Sequence, residues 1–251
     1  MKNYKLILQY DGTRYSGWQK QGNTDNTIQG KLETIASRLT GTPTDVNGSG
    51  RTDAGVHALG QTANFRGEIP ARNGHLLTED EIRDYFNQAL PMDIRVLDVA
   101  EAAPRFHARL NARQKHYRYT IDNGTVASVF DRRYVARIPA FYDIPAMERA
   151  AEYLVGEHDF KSFCENKHMK KSTVRIIHEI RLSEENGLIH IDFFGNGFLY
   201  HMVRILAGTL MEVGNGSRSP EDIPAILEAK SRPAAGFTAP AQGLFLVEVK
   251  Y

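Results

Sequence analysis

Two residues in one loop have the types and spacing for chemistry. Arg51 and Asp53 stand in Gly48-Ser49-Gly50-Arg51-Thr52-Asp53-Ala54-Gly55-Val56-His57, among three glycines. Glycine takes φ > 0 and lets backbone approach other groups closely. The loop therefore offers a carboxylate and a guanidinium beside bare backbone. Such a carboxylate can act on a flat, bulky substrate as nucleophile or proton acceptor. The commoner use of Asp with Gly in a loop is an Asx turn, which involves no catalysis. A phosphate-cradling loop fits poorly. The Walker pattern needs Gly-Lys-Ser/Thr entering a helix, and the Rossmann pattern likewise opens a helix; here a strand follows.

A second group is Arg105–Tyr119. It carries Arg105, Arg109, Arg113, Lys115, Arg118, His107 and His116, with Phe106, Tyr117 and Tyr119 interleaved and no acid. Strand alternation puts Lys115, Tyr117 and Tyr119 on one face. A cation beside aromatics on a sheet is a platform for a phosphate and a stacked base. An ordinary edge strand with a tyrosine pair weighs equally. Lys167, Lys170, Lys171 and Arg175 form another basic cluster. Arg204 lies in the otherwise apolar run Phe198–Arg204. Burying it requires a carboxylate partner; otherwise it snorkels to solvent.

Composition bounds the rest. With 251 residues, 41% apolar and 24% charged, the chain fits one large or two modest soluble domains. A net charge of +1 means that a polyanion must be held by local patches. The one cysteine, Cys164, excludes an internal disulfide framework and a cysteine-based zinc site, and it fits a reducing cytoplasm. In a Ser-Phe-Cys segment with no paired histidine, it reads as a small buried residue. The nine histidines are scattered without metal-ligand spacing, so no metal is expected. No run approaches the ~18 apolar residues of a membrane span, and the first ten residues read as a strand, not a signal peptide.

The elements that must position these residues are legible. Tyr4–Tyr10 is a strand ending at the turn signal Asp11-Gly12. Ile28, Leu32, Ile35 and Leu39 mark one helical face closed by Gly41. A short strand enters the Asp53 loop and Gln61–Arg66 leaves it. Thr78 with Glu81 makes a capping box for a helix through Ile82, Phe86 and Ala89. Asp93–Val99 is the next strand. The second half reads as strand Lys115–Ile121, helix Asp143–Val155 closed by Gly156, and a hairpin of Val174–Leu182 with Leu188–Phe194. Helix Phe198–Val213, a capped helix from Ser219-Pro220 and strand Leu244–Val249 complete it. This predicts an α+β fold: two similar halves, 1–104 and 105–251, with RRM/ferredoxin-like cores forming a largely antiparallel mixed sheet flanked by helices. The Asp loop falls in the first half, and Tyr117 and Arg204 in the second.

Taken together, these motifs carry a resemblance. Gly50–His57 resembles the active-site signature of the tRNA pseudouridine synthase A family. Tyr10-Asp11-Gly12 with Gly17-Trp18-Gln19, Phe106-His107-Ala108-Arg109, Lys115–Tyr119, Phe198–Arg204 and Gly243-Leu244 resemble further family segments in the same order, over essentially the whole chain. The resemblance implies an isomerase that converts uridine to pseudouridine in the anticodon stem-loop of tRNA, positions 38–40. It implies that Asp53 is the catalytic nucleophile and that Arg204 pairs with it. Arg51 would hold the flipped nucleotide out of its helix, Tyr117 would stack on the uracil, and Leu244 would pack against it. Lys115 and Phe198 would complete the substrate site. It further implies a cytoplasmic homodimer that binds tRNA, with no cofactor, metal or membrane.

Pseudouridine formation breaks the bond from ribose C1′ to uracil N1, rotates the base and rejoins it through C5. A carboxylate can attack C1′, add to C6 or take the C2′ proton, and the residues leave all three open. Extruding the base costs a few kcal/mol, and stacking on Tyr117 returns about 1–3 kcal/mol. Two other readings stand beside this one. A non-catalytic RNA-binding protein would keep Tyr117 and the basic clusters without needing Asp53. A glycoside or nucleoside hydrolase would need a second carboxylate, which the loop lacks.

Overall fold

β1 (Lys2–Tyr10) alternates as a half-covered strand should, burying Tyr4, Leu6, Leu8 and Tyr10 on one face. Residues 1–71, 74–166, 169 and 171–251 are described in the structure, a computed structural model. The chain forms two compact units: Met1–Ala112 with Leu246–Tyr251, and Arg113–Phe245. The division falls at Ala112/Arg113, where the sequence suggests 104/105, and the end of the last strand belongs to the first unit. Strand pairing decides this, because it ignores distance along the chain.

In the first unit a 3-10 turn (Gly12–Arg14) follows β1, then α1 (Ile28–Thr40), β2 (Val46–Gly48), β3 (His57–Gly67), α2 (Glu79–Ala89) and β4 (Ile94–Ala102). β1 lies between β3 and β4, antiparallel to both, and β2 pairs with β3. β3 neighbours β10 (Leu244–Lys250). The β-α-β-β-α-β order is ferredoxin-like. Thr27 caps α1 through the Gly30 N–H, and Gly41 ends it at φ 75°. The Thr78–Glu81 capping box forms. Ile82 and Phe86 bury their side chains, whereas Ala89 is exposed and Leu90 closes the face. Leu6, Leu8, Leu32, Phe65 and Phe86 fill the core. Each such side chain contributes about 1.5–3 kcal/mol on leaving water.

In the second unit the order is β5 (Gln114–Asp122), β6 (Ala136–Arg137), α3 (Ile144–Glu152), β7 (Gly156–Asp159), β8 (Val174–Glu185), β9 (Leu188–Gly195), α4 (Met202–Gly214) and α5 (Ile223–Ala229). The sheet runs β5-β9-β8-β7 with antiparallel pairs, and β6 adds in parallel to β5. Asn186 (φ 52°) and Gly187 (φ 77°) form the expected hairpin turn. Two helix expectations need correction. α3 ends at Glu152, and Gly156 opens β7 instead of capping a helix. α4 begins at Met202, not Phe198, because His201 adopts φ 61° and breaks the helical path. Among the described residues, no helix is long and apolar enough to cross a membrane.

Candidate active site

In the first unit, the Asp53 loop is set against the 11–18 loop by missing side chains. A Cβ on Gly12 would stand 2.0 Å from the Val56 carbonyl oxygen. One on Gly17 would stand 2.8 Å from the Thr52 oxygen and 3.2 Å from the Asp53 carbonyl carbon. One on Gly48 would stand 2.4 Å from the Trp18 ring. Glycine is needed here for close approach, and at Gly17 also for its φ of 92°.

Hydrogen bonds complete the frame. Trp18 N–H donates to the Thr52 carbonyl (3.0 Å), Val56 N–H to the Asp53 carbonyl (3.1 Å) and Ser49 N–H to the Thr62 carbonyl (2.8 Å). His57 is wholly buried; its Nδ1 accepts from Gly12 N–H at 3.1 Å and lies 3.2 Å from Asp11 Oδ1. Asp93 anchors the far side of the 11–18 loop. It accepts from Tyr15 Oη (2.5 Å) and from Arg14 Nη2 (2.6 Å), and its carbonyl accepts from Asp11 N–H. Burial alone would raise the Asp93 carboxyl, but those two donors outweigh it and hold the pKa below the ordinary value. On this frame Asp53 is half-buried, with Arg51 exposed two residues before it. A framed carboxylate at a solvent boundary can meet a substrate from outside while its backbone stays fixed.

In the second unit, Tyr117 is buried at 7% exposure, and its ring meets Phe198 edge-on at 5.2 Å. Arg204 is half-buried on the first turn of α4. Its Nε donates to the Ala239 carbonyl at 2.7 Å, and its own carbonyl accepts from Ala239 N–H at 3.1 Å. Arg204 thus braces the 237–240 segment. Leu244 is buried at the start of β10, just after Gly243, where a Cβ would stand 2.9 Å from the Tyr119 ring. Lys115 is half-buried.

The platform of Lys115, Tyr117 and Tyr119 needs correction. Tyr119 is wholly buried, and its hydroxyl donates to the Pro240 carbonyl at 2.9 Å. Burial raises its pKa. Alternation gave the three a common face but could not show that helices cover part of it. The run without acids also acquires one from β9. Asp192 accepts from His116 Nε2 at 2.6 Å and from Arg118 Nε and Nη2 at 2.9 and 3.0 Å. Burial opposes ionisation of Asp192, but His116 and Arg118 prevail and lower its pKa. Arg105, Arg109 and Arg113 are exposed. In the other basic cluster, Lys167 and Lys170 lie outside the described residues, Lys171 is exposed, and Arg175 Nη1 caps the Ser172 and Val174 carbonyls. Cys164 is buried, its Sγ 3.9 Å from Met169 Sδ. Sequence reasoning missed the side chains of Tyr10, Ser49 and Gln61, which bond to one another and to Gly50 and Thr52 of the loop; the signal for Tyr10 and Gln61 was their polarity at positions of β1 and β3 that face the core.

The family model described as tRNA pseudouridine synthase matches residues 6–111 and 150–251. "tRNA pseudouridine synthase A 2" of Bacillus anthracis is 45% identical over 251 residues, covering all of both chains. "tRNA pseudouridine synthase A" of Bacillus sp. strain KSM-64 is 47% identical over 251 residues with the same full coverage. The protein of that name from Caldicellulosiruptor bescii is 46% identical over 253 residues, again covering all of both chains.

Proposed function

Because this chain belongs to the tRNA pseudouridine synthase family, we propose that Asp53 is the carboxylate that opens its reaction on uridines of the tRNA anticodon stem-loop, positions 38–40. The protein is an isomerase that converts uridine in tRNA to pseudouridine. The observation that carries the role of Asp53 is the frame itself: a half-buried carboxylate in the family signature, with the backbone on both sides pinned by glycine contacts and buried hydrogen bonds.

The other roles follow unit by unit. Arg51, exposed two residues before Asp53, fills the space left by the extruded nucleotide. Tyr117 stacks on the uracil, with Phe198 fixing its ring from the edge. Leu244 packs against the base, and Lys115 holds a phosphate. Arg204, oriented by Ala239, supplies the cation for the Asp53 carboxylate. The enzyme acts in the cytoplasm as a homodimer, one subunit docking the tRNA body while its partner holds the target. Exposed Arg105, Arg109 and Arg113 then belong to a footprint assembled from both copies.

Tritium release from tRNA labelled at uridine C5 tests this reading. Wild-type protein releases tritium and leaves the tRNA mass otherwise unchanged, with pseudouridine mapped at positions 38–40. Asp53→Ala reduces release by at least about a hundredfold. Unchanged release by Asp53→Ala would refute the role of Asp53, and free uracil as product would indicate hydrolysis.

A further inference from the structure

Beneath the Asp53 loop lies a set of buried polar side chains that the roles above leave unused. Ser49 and Gln61 are inaccessible to solvent, and Tyr10 and Thr52 are 4% and 6% exposed. Ser49 Oγ donates to Gln61 Oε1 at 2.6 Å. Gln61 Nε2 donates to the Gly50 carbonyl at 3.0 Å and reaches the Tyr10 phenol oxygen at 3.4 Å. The phenol shares a 2.8 Å hydrogen bond with Thr52 Oγ1. The phenol oxygen thus meets both the Gln61 amide and the Thr52 hydroxyl.

Tyr10 and Gln61 sit where β1 and β3 otherwise bury apolar side chains, and Ser49 and Thr52 belong to the loop that joins β2 to β3. Apolar residues there would avoid the desolvation cost of four polar groups. A fully satisfied buried network instead selects one arrangement of the backbone it touches. This one bonds residues 49, 50 and 52, so it grips the loop on both sides of Arg51 and ends on the residue before Asp53.

We propose that Tyr10 and Gln61 are positioning residues for Asp53: the hydrogen-bonded chain Ser49–Gln61–Tyr10–Thr52 fixes the loop so that the carboxylate meets its nucleotide in one orientation. The inference rests on the reading of Asp53 as the reacting carboxylate. Burial pushes the Tyr10 phenol up to about 12. It stays protonated through neutral pH, so the chain of bonds does not switch off there.

Tyr10→Phe and Thr52→Val each remove one end of the same bond with little change of shape, and Thr52→Ser restores it. Single-turnover tritium release measures the effect, with the dissociation constant for tRNA measured alongside. Tyr10→Phe and Thr52→Val are each expected to slow release at least about tenfold while tRNA affinity stays within about twofold. Thr52→Ser stays within about threefold of wild type. The double variant is no slower than the slower single one, because the Tyr10–Thr52 bond that Thr52→Val removes is already lost in Tyr10→Phe. A role in stability alone would lower the melting temperature and leave the rate intact. Wild-type rates in both single variants, or rate losses that multiply in the double variant, would overturn the inference. Should Thr52→Val fail to fold, Tyr10→Phe decides alone. If Asp53→Asn retains the wild-type rate, the reading of Asp53 fails; if it is inactive while Tyr10→Phe is not, only the inference fails.

Discussion

Replacing Gly12 by alanine measures how firmly the Asp53 loop is held. Gly12 does not occupy the left-handed region, so alanine is allowed by its backbone and only contact opposes it. The new Cβ would stand 2.0 Å from the Val56 oxygen and 2.7 Å from its carbonyl carbon, where ordinary contact begins at 3.4 Å. Something must move by about 1.4 Å, the difference between 3.4 and 2.0. The 11–18 side is tied to Asp93 through Arg14, Tyr15 and the Asp11 N–H. The Val56 side therefore moves more, and Val56 N–H draws the Asp53 carbonyl with it. Displacing a catalytic group by ~1 Å costs on the order of a hundredfold in rate, which is about 2.7 kcal/mol of transition-state stabilisation. Overpacking costs a further ~1–3 kcal/mol of folding stability. Single-turnover tritium release and urea unfolding in one buffer report both. Gly41→Ala is the control. Its Cβ meets nothing within 4 Å, and only its φ of 75° is strained, so it loses about 1–2 kcal/mol of stability and no rate. A folded Gly12→Ala protein with the wild-type rate would refute the claim that this packing positions Asp53.

Two further predictions concern the second unit. Asp192→Ala leaves His116 and Arg118 without their buried carboxylate. It should cost about 2 kcal/mol at pH 7, below the usual figure for a buried pair because Arg118 is 44% exposed. The folded-state pKa of Asp192 lies below its ordinary 3.8. Its contribution is therefore complete above about pH 5 and is lost as pH falls through the folded value. Urea unfolding of both proteins should show the gap narrowing below about pH 4; a gap independent of pH would exclude the ion pair. Tyr119→Phe removes the bond to Pro240 and should cost about 1 kcal/mol of stability without changing tritium release. A large rate loss in that variant would return Tyr119 to the substrate site.

Local patterns made much of this protein legible in its sequence. The 3.6-residue period of Ile28, Leu32, Ile35 and Leu39, the Thr78–Glu81 box, the Asn186-Gly187 turn and the alternation of β1 all depend on residues a few positions apart. The signature around Asp53 and its companion motifs likewise identified the family, because they are strings in fixed order. Partnerships across many residues were decided only by the tertiary structure. Arg118 is satisfied by Asp192, 74 residues away, and Thr52 by Tyr10, 42 residues before it. Tyr117 and Tyr119 share a strand face, yet packing leaves one ring at 7% exposure and seals the other in the core. α4 starts late because His201 takes a left-handed conformation that the apolar run from Phe198 does not reveal. Periodicity assigns a side chain to a face. What then covers that face, and which distant group bonds to it, follows from strand register and from the requirement that every buried polar group find a partner.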